Sequence, residues 1–356
     1  MNSKKYVIGF LLLVGIFFWG NVCLWHGYTK STFSLSQKHG DLTRMAFLPN
    51  LSLSIGMYQP IKKHIEFRDY INMTEKPSVD MITLGDSFSN GGGGAYYQDY
   101  IVDNYGKIVL NFTCMEDDNP LTVLRRLIKT GLLAEIHPKI VVLESVERYT
   151  VARFDKGIKT PSSMTKEKFI EFYMSPMKTG KPEWEGLFPE IMTNANKSLI
   201  KTKFKYLKSK NRLSDEVYQT VLQDNLFSDN GRENILLYYY QDLWYQKADV
   251  NCWQINSSLN KVAEELRDMG IQLIVMINVD KFDLYYPYIA MPRDIPENNF
   301  MEKFSEQPRK YEYIDTKAIL RKELEKGEKD IYWQDDTHWS WKAQHKVVDV
   351  MMETVK

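Results

Sequence analysis

The chain predicts an α/β fold with a mainly parallel sheet, and three stretches carry the prediction. The apolar run 79–84 ends in Gly85-Asp86-Ser87 and leads, past Gly91 to Gly94, into a helix over 96–104. That pattern is strand, sharp turn, helix. Residues 140–143, Ile-Val-Val-Leu, form the short unbroken apolar run expected of a strand buried on both faces. Much later, a helical stripe over 256–269 is followed by a third apolar run, 271–277. Strands alternating with helices build parallel sheets, and sites on such sheets lie beyond the C-terminal strand ends.

The N-terminus is of another kind. Lys4-Lys5 precede 20 residues, 6–25, that are apolar apart from Asn21 near their end. About 20 such residues span a bilayer core. The apolar stretch of a cleaved signal is shorter, roughly 7–15 residues, and ends at small residues. This one ends Asn21-Val-Cys-Leu-Trp25. We therefore expect residues 1–25 to form an uncleaved transmembrane anchor, lysines in the cytoplasm and body outside. Residues 26–77 read as a linker and entry segment, polar, aperiodic and punctuated by Pro49, Pro60 and Pro77.

Residues 78–356 form the expected catalytic domain. A second strand is predicted over 107–112. Asp118-Asn-Pro120 signals a helix start, and an apolar stripe continues over 121–136. Residues 150–250 break the pattern and read as an insertion, with lysines interleaved with Phe169, Phe172, Tyr173, Trp184, Phe204 and Tyr206. Such a mixture either meets an anionic polymer or sugar rings, or is a solvated helical insertion with ordinary core aromatics. A strand is predicted over 235–240. Gly270 is placed to end the helix 256–269. Residues 292–308 look loop-like. A helix over 316–326, a short strand over 330–333 and a final helix over 341–354, capped by Ser340, complete the chain.

Basic and acidic residues balance at 46 each, so no global field points to nucleic acid. The three cysteines are scattered and show no zinc spacing, so neither a metal nor a disulfide framework is expected. No cofactor motif appears. The four glycines are not followed by Gly-Lys-Ser/Thr, so a phosphate loop is unsupported.

The chemistry expected is acyl transfer. Ser87 falls on a turn after a strand, where its hydroxyl stands clear of the sheet. A serine needs a base to take its proton, and a base needs a carboxylate to fix its tautomer. Gln334-Asp-Asp-Thr-His338 offers both, and the other five histidines lie in less suitable contexts. Ser87 is the expected nucleophile and His338 the base. Asp335 and Asp336 are the candidate acids.

Gly85-Asp-Ser87 and Asp335-x-x-His338 resemble the first and last blocks of the SGNH (GDSL-like) hydrolase superfamily. Gly85-Asp-Ser-Phe-Ser89 with Asp336-Thr-His-Trp339 looks closer to its alginate O-acetyltransferase-like branch, as do 142–148 and 280–285. The resemblance implies an SGNH-like three-layer sandwich. It implies membrane-anchored O-acetyl transfer to an extracytoplasmic polysaccharide, with acetyl supplied by a multi-pass membrane acyltransferase. It places the body outside a bacterial inner membrane. The branch pattern Asp-x-His selects Asp336 as the acid; the superfamily pattern Asp-x-x-His selects Asp335. The superfamily's usual oxyanion glycine and Gly-x-Asn-Asp block are missing. The Ser87 N–H, Asn90 and Arg148 stand as substitutes, although Arg148 has Glu144 and Glu147 as possible ion-pair partners. A carbohydrate esterase uses the same triad, and a non-catalytic polysaccharide-binding protein would keep the same fold.

Overall fold

The structure is a computed structural model. It describes residues 3–30, 40–48, 61–90, 96–114, 119–154, 164–175, 194–243, 251–290 and 295–355. The strands in chain order are β1 (Ile65–Glu66), β2 (Met81–Gly85), β3 (Val109–Thr113), β4 (Ile140–Val146), β5 (Val217–Val221), β6 (Ile235–Tyr239), β7 (Gln272–Asn278) and β8 (Glu312–Asp315). Six of them form one sheet in the order β1-β3-β2-β4-β7-β8, and every pairing in it is parallel. The predicted α/β class with a mainly parallel sheet is thus the observed one.

The chain runs from β2 to β3 in one direction and then crosses to β4 on the other side of β2. Right-handed crossovers put the connecting helices on opposite faces. Tyr97–Tyr105 packs with the final helix Trp341–Glu353, which also meets Thr316–Glu325. Pro120–Lys129, Glu147–Phe154 and Cys252–Asp268 pack together on the other face. This gives three layers, with the strands buried between them. Every residue of β2 and β4 is buried, Glu144 and Ser145 included.

Local chemistry sets the helix ends. Asn119 accepts a hydrogen bond from the Thr122 N–H at 2.9 Å, with Pro120 in the first turn. Ser340 caps the last helix through the Lys342 N–H at 3.2 Å. Gly270 follows its helix at φ 75°, in the left-handed region that glycine enters without strain.

Four expectations need correction. The single helix over 121–136 is two, Pro120–Lys129 and Leu132–Ile136, because Gly131 turns the chain at φ 74° between them. Residues 330–333 form no strand: Asp330 sits at φ 58°, and Tyr332 makes only an isolated bridge to Trp339. The edge strand is instead β8, and the preceding loop-like stretch holds a helix, Phe300–Ser305. The entry segment contributes β1, parallel to β3.

The N-terminal helix Ser3–Leu24 continues through a π-helical turn, Trp25–Thr29. Together they are 27 residues, long and apolar enough to cross a membrane, and the apolar window is not buried within the protein. Within 150–250, β5 and β6 pair as an antiparallel hairpin. Phe169 and Tyr173 are core residues packed against Phe67 and Phe112. Trp184 lies outside the described residues.

Candidate active site

β2 ends at Gly85, and the chain turns at once into the short helix Ser87–Asn90. The turn is held from three sides. Asp86 accepts from the Phe88 N–H at 3.1 Å and the Val146 N–H at 2.8 Å, and it pairs with Arg153. Burial would raise the Asp86 pKa, but Arg153 and the two N–H donors bring it below the ordinary aspartate value. Buried Glu144 on β4 accepts from the Asp86 N–H at 2.9 Å, the Ser89 hydroxyl at 2.8 Å and Asn278 Nδ2 at 2.7 Å. Only glycine fits at position 85: a Cβ there would lie 2.1 Å from Glu144 Oε2. Ser87 is left exposed at the C-terminal end of β2.

The second half of the site is the loop 333–338. Lys281, buried just beyond β7, donates to the carbonyls of Trp333 at 2.7 Å, Gln334 at 2.8 Å and Asp336 at 3.0 Å. Its three ammonium protons are thereby all used. Burial lowers the Lys281 pKa to about 8 despite the surrounding aspartates. Gln334 ties the loop to the hairpin through the carbonyls of Arg232 and Ile235, at 2.7 and 2.8 Å.

So held, His338 Nε2 lies 2.8 Å from Ser87 Oγ, and Nδ1 lies 2.6 Å from Asp336 Oδ1. The same carboxylate oxygen accepts the His338 backbone N–H at 2.9 Å. With Nδ1–H donating to Asp336, Nε2 is free to accept the serine proton. Burial opposes ionisation of Asp336, but His338 and the N–H donors hold its pKa down to about 2. Burial would lower the imidazole pKa; Asp336, and then Asp41, raise it above the ordinary value. The Phe88 ring lies 4.9 Å from the imidazole and 5.4 Å from the Trp339 ring. It packs the histidine against the turn that carries Ser87.

No family model matches the chain, and no curated protein matches it. Similar solved structures include two esterase- or lipase-type proteins. A mutant of an acetyl-xylooligosaccharide esterase from Geobacillus stearmophilus shares 10% identity, with 80% of this chain and 96% of that chain covered, at TM-score 0.35. A protein described as a GDSL-like lipase from Parabacteroides merdae shares 7%, with 83% and 98% covered, at TM-score 0.34. At these scores neither neighbour carries weight; the geometry of the site does.

The remaining candidates fall elsewhere. Asp335 does not reach the imidazole. Its Oδ2 accepts the Gly40 N–H at 2.9 Å, and burial raises its pKa to about 6. Asn90 ends the helix Ser87–Asn90, and its side chain lies outside the described residues, as do Gly91 to Gly94. Arg148 is buried and pairs with Asp280 at 2.5 Å and Asp242 at 3.3 Å. Neither Glu144 nor Glu147 is its ion-pair partner: Glu147 accepts from the Asp280 N–H and Asn298, at 2.9 and 2.6 Å.

One site residue has no sequence signal at all. Asp41 heads the short helix Asp41–Ala46 of the entry segment, which packs onto the 335–338 loop. Its carboxylate accepts the Thr337 N–H at 2.8 Å and the Thr337 hydroxyl, and Oδ2 lies 3.8 Å from His338 Nδ1. The Asp41 N–H donates to Asp336 Oδ2 at 3.2 Å. Asp41, Asp336 and His338 are close enough to hold a cation. However, both oxygens of each carboxylate already face N–H or O–H donors, whose polarity opposes a metal ion.

Proposed function

We propose that the protein is a membrane-anchored serine O-acyltransferase of the SGNH type, transferring acetyl groups to an extracytoplasmic polysaccharide. The observation that carries the serine chemistry is the hydrogen-bonded chain Ser87–His338–Asp336, with Ser87 exposed at the C-terminal edge of a parallel sheet. The Gly-Asp-Ser and Asp-x-His motifs support the superfamily and the branch by resemblance. The apolar helix Ser3–Thr29 supports the anchor, and the Lys4-Lys5 pair supports a cytoplasmic N-terminus at a bacterial inner membrane.

In the first half-reaction His338 Nε2 takes the Ser87 proton as Oγ attacks the donor's carbonyl carbon. The Ser87 N–H is the candidate backbone donor to the oxyanion that forms. Collapse of the tetrahedral intermediate breaks the acyl bond to the donor. The leaving group departs with the proton from the imidazolium, leaving acetyl-Ser87. In the second half, His338 takes a proton from a sugar hydroxyl whose oxygen attacks the acetyl carbon. The ester forms, and the proton returns to Ser87. A multi-pass membrane acyltransferase would supply the acetyl group. No cofactor enters either step.

The exposure of Ser87 also favours a second reading. Water reaching the acyl-serine would make the protein a carbohydrate esterase. Intact mass after treatment with an activated acetyl ester tests both. An adduct of one acetyl group that requires Ser87, and that clears faster with a polysaccharide than with water alone, supports the transferase. Equal clearance in water selects the esterase. A protein that forms no adduct and cleaves no ester, yet binds polysaccharide, overturns the catalytic reading.

A further inference from the structure

The helix Asn194–Tyr206 touches the N-terminal helix where the latter would leave the bilayer. Asn196 Nδ2 donates to the Asn21 carbonyl at 3.0 Å and to Asn21 Oδ1 at 3.3 Å. A cavity of about 340 Å³ between the two helices is lined by Leu24, Tyr28, Leu199, Ile200, Lys203 and Phe204. The contact therefore lies at the end of the apolar stretch, beside the exposed Trp19 and the polar Asn21, where interfacial residues belong.

From that contact outward, the helix and the turn after it expose an apolar stripe. Ile200, Phe204 and Leu207 are 44%, 76% and 74% exposed, at the spacing of one helix face. Phe204, although it borders that cavity, and Leu207 are thus open to solvent over most of their surface. The flanks are basic. Residues 194–214 hold six lysines and one arginine and no aspartate or glutamate. Lys205 and Arg212 pair with Asp215, and Lys203 reaches the Ala46 carbonyl. Lys197, Lys201, Lys208 and Lys210 are exposed and make no ion pair among the described residues.

The geometry points to an interfacial membrane-docking surface on 194–210, with an anionic phospholipid leaflet as its occupant. Ile200, Phe204 and Leu207 enter the boundary between headgroups and acyl chains, and the four free lysines meet phosphate groups around them. An apolar stripe edged by lysines and lacking acids is the composition that binds in the plane of an anionic interface. Continuity with the membrane exit singles out lipid over a soluble partner: a stripe touching Leu24 and Tyr28 lies at the depth of the headgroups whenever the N-terminal helix spans. The surface is a second attachment point that fixes how the body is turned over the bilayer. The inference rests on the anchor reading of the N-terminal helix.

The test is nitroxide accessibility in the full chain, reconstituted in phosphatidylcholine vesicles with and without phosphatidylglycerol. The background carries Cys23→Ala, Cys114→Ala and Cys252→Ala, and the label enters at Phe204→Cys or, as reference, Leu13→Cys. Thermal melts first match each variant to its parent. The expected result is loss of nickel-chelate access at 204 towards the level at 13, with oxygen access retained and protection greater with phosphatidylglycerol. Lys197→Gln, Lys201→Gln and Lys208→Gln together should abolish that lipid-dependent gain. Nickel access at 204 with protection at 13 overturns the docking surface alone. Nickel access at 13 overturns the anchor, and the docking surface with it. Protection at 204 that ignores both phosphatidylglycerol and the lysines overturns the anionic leaflet as the occupant.

Discussion

The Asp41 carboxylate lies 3.8 Å from Nδ1 of His338, and the Asp41 N–H bonds to the Asp336 carboxylate. The histidine thus faces two carboxylates, one bonded and one near, with buried Arg148 acting against them. Their combined charge favours the imidazolium and raises the His338 pKa above its ordinary value. A base must be neutral to act, so activity should fall as pH drops through that raised pKa. Asp41→Asn keeps an acceptor for the Thr337 N–H and removes one charge. The acid limb of kcat/KM for a small activated ester should then move to lower pH. An unmoved limb with reduced kcat would assign Asp41 a purely structural part.

Asp336 and Asp335 make opposite predictions although they are neighbours. Of the two, only Asp336 bonds to Nδ1, so Asp336→Asn should reduce kcat by up to about four orders of magnitude, as the loss of a triad acid does elsewhere. Asp335 instead holds the Gly40 N–H, and Asp335→Asn keeps an acceptor for it, so kcat should stay within about tenfold and the fold should weaken by only about 1 kcal/mol. Single-turnover acylation and urea melts separate the two. The reverse pattern would transfer the acid's role to Asp335.

The parts of the fold and site that were legible in the sequence have local signatures. β2, β4 and β7 are apolar runs between helical stripes, and the Gly-Asp-Ser turn and the Asp-x-His spacing each act over a few residues. What was not legible is set by partners far along the chain. Two residues, Ile65 and Glu66, become a strand only because β3 offers an edge. Ile331 to Trp333 have strand propensity, yet Lys281 turns the carbonyls of 333, 334 and 336 inward and the stretch becomes a loop. Attention in the sequence goes to Gly91–Gly94, which lie outside the described residues; among those described, Gly40 and Gly85 press against the site.

Gly40 gives a prediction of its own. A Cβ there would lie 1.9 Å from the Asp335 carbonyl oxygen, and this is backbone that cannot swing aside. Gly40→Ala should therefore push residues 40–48 off the 335–338 loop. The loss of fit should amount to about 1–3 kcal/mol. Because Asp41 moves with Gly40, the acid limb should shift as it does in Asp41→Asn. Hydrogen exchange at the amides of Thr43 and Thr337, which bond to Asp335 and Asp41, reads the detachment directly. Unchanged protection at both would refute it.

Arg148 should prove a residue of the fold. It is buried with Asp242 and Asp280, and removing it leaves two buried carboxylates without their cation. Arg148→Met should cost about 3–5 kcal/mol of stability. Where the variant remains folded, KM for a small ester should stay near that of the parent. A raised KM with an unchanged melt would return Arg148 to the substrate.

His64 predicts how stability depends on pH. Its ring nitrogens meet Asp99 at 2.7 Å and Glu66 at 2.9 Å, and this clamp joins β1 to the helix Tyr97–Tyr105. Burial opposes the charge, but the two carboxylates raise the pKa to about 9. The folded state therefore holds a proton that the unfolded chain releases near 6.5. The stabilisation is fully present below pH 6.5 and fades as pH rises through about 9. Glu66 is partly exposed and screened by solvent, which brings the amplitude to roughly 2 kcal/mol. Melting temperature should fall across that window in the parent protein. His64→Gln carries no titrating proton, so it should lower the melt at pH 6 and flatten the slope. A parent-like slope in His64→Gln would assign the pH dependence to another group.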